Sequence, residues 1–266
     1  MSYFGKAFVF DSVPCETYDL MMYDVGNDDS DVSIPSIGGI QDETVGDKWK
    51  PYFYGITPAG KLEFDITFGV NEWRIDHDKF FDRFEIAEIT SWLTGYSEYK
   101  WLYIEQPDML LLGFRCMITD LKLVPYGKTP WAFKAHVICD SPYAYLEAEE
   151  FSLTVNGSAT MVIRNPSSSN EFYLPEITFE RTSGTALSIR NAQDQDRGPA
   201  FSDIPGSVGT IWIDNEHCVI TNDQNVNLYS GFNFQFLRLV RGENNITITG
   251  NGTVRIRCEF PVNVGG

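Results

Sequence analysis

Apolar residues recur at helical spacing in only one stretch of this 266-residue sequence. The spacing predicts a single helix built on six side chains: Phe80, Phe81, Phe84, Ile89, Trp92 and Leu93. Asp76 or Asp78 is positioned to cap its start, and Gly95 to end it with a positive φ. The remaining apolar segments are short or alternate with period two, so the fold class is mainly β.

The clearest strand before the helix is Lys61–Gly69, where every second residue is large and apolar. Later, two strand-like segments are separated by the turn residues between Pro125 and Pro130, which predicts a β-hairpin. Aromatic residues make up 14% of the chain, and these side chains suit pleated, half-buried surfaces. We therefore expect a β-sandwich-type first domain that contains the one α-helix.

Beyond residue 150, short apolar segments alternate with Gly, Asn and Ser. They predict nine short strands: Phe151–Val155, Thr160–Arg164, Glu176–Glu180, Ala186–Arg190, Gly209–Asp214, Cys218–Ile220, Phe232–Leu239, Asn245–Thr249 and Thr253–Phe260. Regular short strands with such turns are typical of a β-sandwich.

Charge divides the chain near the same point. Residues 1–150 hold 26 acidic and 12 basic side chains, a net charge of −14, whereas residues 151–266 hold 11 and 8, a net charge of −3. The segment Ser141–Tyr145 has the composition of a boundary, so we predict domains 1–145 and 146–266. The final strand, Thr253–Phe260, belongs either to the second domain or, by returning, to the first.

The overall net charge of −17 disfavours binding to nucleic acid or to anionic membranes, because both repel an acidic surface. It favours basic partner surfaces, with binding that weakens at high salt. The five cysteines are widely spaced and odd in number, which indicates free thiols in a reducing compartment. No secretory leader or membrane-length apolar segment is visible, so we expect no membrane insertion.

Several polar groups are candidates for catalytic or metal-binding sites. His77 lies between two helix-capping acids, and His136 lies inside a strand pattern, so structural roles are favoured for both. The pair His217-Cys218 is too small a ligand set for zinc. Asn27, Asp29 and Asp31 match the first ligands of a calcium loop, but Val32 and Gly38 stand where that loop needs Gly and Glu. We expect no metal, no cofactor and no enzyme activity.

Stretches in a particular order resemble the distal tail proteins of long-tailed bacteriophages (siphophages). They are Ile89–Leu93 followed by Lys100–Tyr103, then Gln106–Met109, Ala135–Tyr145, Gly209–Asp214, Phe236–Leu239 and Gly242–Ile248. In the second half, a leucine, then Gly-Glu-Asn, then an alternating β-branched strand is a pattern common in that family.

The resemblance implies a structural virion protein at the tail tip. Family members assemble as a homohexameric ring, a hub that joins the tail tube to tail-tip or baseplate proteins and to receptor-binding proteins. It also implies a second domain with a galectin-like or carbohydrate-module-like β-sandwich.

That second domain raises an alternative function, a carbohydrate-binding module that contacts host cell-surface glycans. Its candidate sugar-binding residues are Trp212 and Tyr229, because exposed aromatic rings stack on sugars. Trp212 lies in the apolar run Ile211–Ile213, so core or inter-domain packing is favoured for it about two to one. The galectin combination of His, Asn, Pro and Arg is not visible around His217.

Overall fold

The computed structural model describes residues 5–23, 39–46, 48–56, 60–71, 80–126 and 129–264. The chain forms two compact units, and each has its own apolar core. The first unit ends at Tyr145 and takes back the chain from Asn263, so that Val264 is buried in its core. The second unit is Leu146–Val262 and contains the whole of the last long strand. The predicted fold class, mainly β, is confirmed.

The part of the chain up to residue 146 contains ten strands and one α-helix among its described residues. They are β1 Phe8–Phe10, β2 Val13–Pro14, β3 Leu20–Met22, β4 Ile40–Glu43, β5 Tyr52–Ile56, β6 Glu63–Val70, α1 Arg83–Thr94, β7 Lys100–Ile104, β8 Leu112–Tyr126, β9 Thr129–Cys139 and β10 Ala144–Leu146.

An antiparallel sheet in the order β2-β1-β7-β8-β9-β6-β3 forms the body of the first unit. The predicted alternation is confirmed in β6, where Phe64, Ile66 and Phe68 are buried and Glu63 and Asp65 are exposed. The predicted hairpin is confirmed as well, because β8 and β9 pair as far as Tyr126 and Thr129. A one-sided apolar pattern thus places this sheet over its core.

The helix is confirmed, but its predicted start is wrong. Asp82 caps α1, and its carboxylate accepts the backbone N–H groups of Phe84 and Glu85 at 2.7 and 2.8 Å. The Glu85 side chain in turn accepts the Asp82 N–H at 2.9 Å, which completes a capping box. Asp76 and Asp78, the predicted caps, lie outside the described residues, as does His77.

The predicted positive φ of Gly95 is also wrong, since its φ is −76°. Glycine is needed there for a different reason: a Cβ would lie 2.5 Å from the Ser91 carbonyl oxygen. The apolar face buries Ile89, Trp92 and Leu93. Phe84, predicted to share that face, is exposed instead.

The rest of the chain holds seven strands: β11 Glu149–Asn165, β12 Glu176–Asn191, β13 Ala200–Phe201, β14 Thr210–Asp214, β15 Val219–Asn222, β16 Gly242–Cys258 and β17 Pro261–Val262. An antiparallel sheet in the order β11-β16-β12-β14-β15, with β13 paired to β12, forms the body of the second unit.

Three of these strands are much longer than predicted. Phe151–Val155 and Thr160–Arg164 are parts of β11, and β12 and β16 likewise each join two predicted strands. The residues interpreted as turns lie inside the strands and are aligned across the sheet, with Gly157 opposite Gly250. Gly157 has a φ of +94°, a conformation that bends a strand and that glycine adopts without strain.

The strand predicted at Phe232–Leu239 is wrong. This segment contains isolated bridges and no named strand, although its aromatic residues alternate. Phe234 has a φ of +55°, which no β-strand allows. The segment is instead held by ring contacts, with Phe232 lying 5.0 Å from Phe201 and 5.3 Å from Phe236 between ring centroids.

A buried amide explains the Gly-Glu-Asn pattern at residues 242–244. Asn244 is fully buried, and its Nδ2 donates to the carbonyls of Val240 and Gly242 at 2.8 and 3.1 Å. Its Oδ1 accepts the Val240 N–H at 2.8 Å and the Asn191 Nδ2 at 2.8 Å. One side chain therefore ties the turn before β16 to β12.

Replacing the helix cap tests the first unit. Asp82→Ala removes both capping bonds of the carboxylate, and we expect the free energy of unfolding to fall by about 0.5–2 kcal/mol in urea titrations. Glu88→Ala on the exposed side of the same helix is the control, with a change within about 0.5 kcal/mol. Equal effects of the two substitutions would contradict the capping role.

Replacing the buried amide tests the second unit. Asn244→Ala leaves several buried backbone groups unpaired, and we expect at least about 2 kcal/mol of destabilisation because each such group costs roughly 1–3 kcal/mol. The adjacent Asn245→Ala removes one weak side-chain contact to Glu243 and serves as the control. Equal unfolding temperatures of the two variants would contradict the proposed role of Asn244 in linking the turn before β16 to β12.

Candidate interaction surfaces

Two of the polar groups considered as catalytic or metal sites, His136 and His217, are held in local ion pairs. His136 Nδ1 lies 2.8 Å from Asp65 on the neighbouring strand, and Lys134 Nζ lies 2.9 Å from the same carboxylate. Hydrogen bonds to Lys134 and His136 lower the pKa of Asp65, although its partial burial opposes them. These contacts make a cross-strand cluster on an exposed face rather than a site around a cavity.

His217 has a similar local role. Its backbone N–H and ring Nδ1 bond to the Asp214 carboxylate at 2.9 and 2.7 Å, which closes the turn after β14. Within the described ranges, no group of three or more His, Cys, Asp or Glu side chains could hold a metal ion. Asn27, Asp29 and Asp31 lie outside the described residues.

Four of the five cysteines are buried, and Cys218 is exposed. Burial raises the pKa of Cys15, Cys139 and Cys258 to about 12 and raises that of Cys116 further, because a thiolate is poorly solvated in an apolar core. The five thiols are free. The buried ones have the environment of small core side chains rather than of nucleophiles.

Trp212 does not pack in the core of the second unit, so that half of the prediction is wrong, and inter-domain packing stays a prediction. Trp212 lies in the middle of β14, where Ile211 and Ile213 are buried and the indole points to the opposite face with 43% exposure. Its neighbours across the sheet are Thr178 and Thr221. The apolar run in the sequence is therefore an alternating strand with one exposed aromatic residue.

Tyr229 does not join Trp212. It packs against the core of the second unit, which is the side that Ile211 and Ile213 face. Its hydroxyl oxygen accepts the Ile220 N–H at 3.2 Å, and its ring lies 6.1 Å from that of Phe234. The two residues lie on opposite faces and form no common platform, and sugar binding by them stays a prediction.

A surface that sequence reasoning missed is the hairpin β4–β5 of the first unit. It forms a two-stranded sheet of its own, separate from the seven-strand path. Six large apolar residues in or between its strands are exposed, and we call them the hairpin surface: Ile40, Val45, Trp49, Tyr52, Phe53 and Tyr54.

The side chains of the hairpin surface are strongly exposed. Trp49 is 92% exposed, and none of the six side chains belongs to the core of the first unit. An isolated two-stranded hairpin is at best marginally stable in water, and exposed large apolar side chains on such an element favour an interaction site. The run of aromatic residues Tyr52–Tyr54 was the signal available in the sequence.

A second missed feature is an open groove of about 700 Å³ in the second unit. We call it the bend groove, because the glycine-containing bends of β11, β12 and β16 meet there. Its lining residues are Gly157, Gly184, Thr185, Ala186, Leu187, Ser188, Ala200, Phe201, Ser202, Ser230, Gly231, Phe232, Asn233, Thr249, Gly250 and Asn251. Neither Trp212 nor Tyr229 is among them.

In the described part of the chain, no helix is long and apolar enough to cross a membrane.

Two family models match the chain in succession. Residues 4–141 match the phage tail protein N-terminal domain, and residues 143–258 match the phage tail C-terminal domain. The chain belongs to this family of phage tail proteins. No curated protein sequence matches the chain significantly.

Solved structures show the same relationship at the level of the fold. The Dit protein of phage SPP1, whose structure is presented as a paradigm of the hub adsorption apparatus in phages that infect Gram-positive bacteria, aligns with a TM-score of 0.62 at 12% identity. The alignment covers 96% of this chain and 98% of that chain. The chain thus has the Dit fold, and the resemblance to distal tail proteins is confirmed.

A chain of the activated baseplate of phage P2 with calcium aligns at 11% identity over 90% of both chains. Its TM-score is 0.47, which is too low to support an argument.

The thiol environments generate a direct test. In the folded protein, we expect a disulfide reagent such as dithionitrobenzoate to label Cys218 rapidly and the four buried cysteines slowly, since their thiolates are disfavoured and shielded. After denaturation, all five should react. Rapid labelling of more than one thiol in the native protein would contradict the buried positions. In the control variant Cys218→Ser, we expect no rapid labelling, which would identify Cys218 as the reactive residue.

Proposed function

We propose that this protein is a subunit of the tail-tip hub of a siphophage, where copies of the chain form a ring. The ring joins the tail tube to tail-tip, baseplate or receptor-binding proteins. The match to both phage tail domains and the Dit fold support the class of protein. The observation that carries the ring itself is the hairpin surface.

The hairpin surface favours self-assembly because none of its six side chains belongs to the described apolar core of the first unit. Burying it against another protein removes the aromatic side chains from water and stabilises a hairpin that is marginal alone. In a ring, every protomer offers the same surface to the next one. The hairpin surface of each protomer is therefore buried at every interface.

A head-to-tail ring also needs a complementary surface on each protomer, since two different patches meet at such an interface. The first unit exposes further large apolar side chains on other elements. Phe84 is 85% exposed on α1, and Leu110 and Leu111 are exposed in the turn before β8. They provide apolar contact area distinct from the hairpin surface, as a closed ring requires.

The finer features of the proposal follow from the resemblance. They are six subunits per ring, a galectin-like second domain, assembly in the host cytoplasm and incorporation at the tip of the virion tail. In this role the chain positions other proteins and performs no catalysis. The alternative function, contact with host glycans through Trp212 and Tyr229, has a weaker basis because the two rings face opposite sides of the sheet.

The ring is tested by light scattering behind size-exclusion chromatography, with negative-stain images of the main peak. For the unaltered chain of 30.2 kDa we expect the mass of about six subunits and a central hole. Trp49→Ser combined with Phe53→Ser should shift the protein to monomers, because the interface loses two of its aromatic anchors.

Trp212→Ser is the matched control, since it removes an exposed tryptophan from the second unit. Its ring should remain intact. A monomeric unaltered chain over the whole concentration range, or a double variant that assembles as well as the control, would overturn self-assembly through the hairpin surface.

A further inference from the structure

Two of the buried thiols lie directly opposite each other in the first unit. Cys116 of β8 and Cys139 of β9 are paired residues in the antiparallel register, and both belong to the core of this unit. Residues that are directly opposite in an antiparallel pair point to the same face of the sheet, so the two side chains are neighbours. Burial is the main cause of the raised pKa of Cys116, and the nearby Cys139 thiol adds to it.

The backbone hydrogen bonds identify the type of this pair. The Cys139 N–H donates to the Leu62 carbonyl at 2.8 Å, on the side of β9 that faces away from β8. The next N–H, that of Asp140, points the other way and donates to the Arg115 carbonyl at 2.9 Å. Cys116 and Cys139 therefore form a non-hydrogen-bonded pair, the type in which opposite Cα atoms are closer, at about 4.5 Å.

This type of pair has the backbone spacing of a disulfide. Disulfides join Cα atoms roughly 4.4–6.8 Å apart and Cβ atoms roughly 3.5–4.5 Å apart. Opposite Cβ atoms in a sheet are about 4.5–5.5 Å apart, with the shorter distances in non-hydrogen-bonded pairs. Both cysteines are free in this structure. A bond between them requires rotation of the two side chains and little movement of the strands.

The other three cysteines have no such partner, and all five lie within the described residues. The Cys15 sulfur accepts the Phe8 N–H and donates to the Leu20 carbonyl, each at 3.4 Å. Cys258 is buried in the core of the second unit, and Cys218 is exposed. The register therefore singles out one pair of cysteines for a bond within the chain.

A small pocket of about 30 Å³ lies beside Cys116. Its walls are formed by Phe10, Leu93, Thr94, Tyr96, Glu98, Cys116, Met117 and Ile118. A water molecule needs roughly 10–15 Å³, so the pocket has room for a molecule of that size, such as hydrogen peroxide. Cys116 itself has no exposed surface, so its sulfur meets such a molecule only when the side chains around the pocket shift.

The thiols are protected against fast oxidation. Burial raises the pKa of Cys139 to about 12 and that of Cys116 further, so the reactive thiolate is scarce at neutral pH. In a reducing compartment both residues therefore stay free. Oxidation requires an oxidant together with a long exposure.

We propose that Cys116 and Cys139 form a cross-strand disulfide when the protein leaves a reducing compartment and meets a peroxide. The Cys116 sulfur attacks one peroxide oxygen, and the O–O bond breaks to give a sulfenic acid and one water. The Cys139 sulfur then displaces the sulfenic oxygen, which leaves as a second water. Two thiols and one hydrogen peroxide thus become one disulfide and two waters.

The bond would lock two inner strands of the first unit, since β8 and β9 lie in the middle of its sheet. It closes the loop between residues 116 and 139 and so reduces the conformational freedom of the unfolded chain, which stabilises the folded protein. This modification goes beyond the hub function and does not depend on ring formation.

The bond is tested on the full chain carrying Cys218→Ser, which removes the exposed thiol. The reduced protein is desalted and left overnight with a small excess of hydrogen peroxide. Trypsin places the two cysteines on separate peptides, residues 116–122 and 135–164. We expect these peptides to appear as one linked species that dithiothreitol separates. The oxidised protein should unfold at a temperature higher by at least about 5 °C, and dithiothreitol should reverse the shift.

Two further variants of the same chain provide the controls. Cys139→Ser should show neither the linked peptides nor a rise in unfolding temperature on oxidation. Cys258→Ser, which removes a buried thiol of the second unit, should show both. Each variant is compared with its own reduced form, so a general loss of stability does not affect the result.

Three outcomes would overturn the proposal. One is that the linked peptides form only when the protein is oxidised in denaturant. Another is that Cys116 or Cys139 is linked to a different cysteine. The third is that the linked protein unfolds at or below the temperature of the reduced protein.

Discussion

The second unit depends on one constraint, the alignment of bends in three long strands. Gly157 and Gly250 face each other across β11 and β16, and the Gly157 N–H is taken by Asn251 Oδ1 at 2.9 Å. This arrangement lets each strand continue through the bend with its buried residues still facing the core. The same alignment opens the bend groove, so the feature that shapes the fold also shapes this concavity.

The constraint also explains which parts of the fold were predictable from the sequence. The alternation in β6 and the apolar spacing in α1 reflect burial on one side, and both elements were correctly predicted. The sequence pattern predicts turns at Gly157 and Gly250, since a glycine with its backbone paired on a neighbouring strand is indistinguishable in sequence from one in a loop. The strand prediction for residues 232–239 was wrong for the opposite reason. There, packing between aromatic rings produces an alternating pattern without strand pairing.

The candidate sites were also only partly predictable from the sequence. Trp212 was correctly singled out as a notable aromatic residue, but the apolar neighbours that indicated burial belong to the other face of β14. The hairpin surface and the bend groove were not predicted. The exposure of Trp49 depends on the tertiary packing around it, which a local sequence pattern does not reveal. The groove brings together residues from Gly157 to Asn251, which are far apart in the sequence.

We assign assembly to the first unit, through the hairpin surface. That assignment presupposes that the chain is part of the tail tip. Immunogold electron microscopy of purified particles, with antibodies raised against this chain, tests that location most directly. The account predicts gold at the end of the tail distal to the head. Labelling spread along the tail tube, or particles without label whose purified proteins lack this chain, would contradict it.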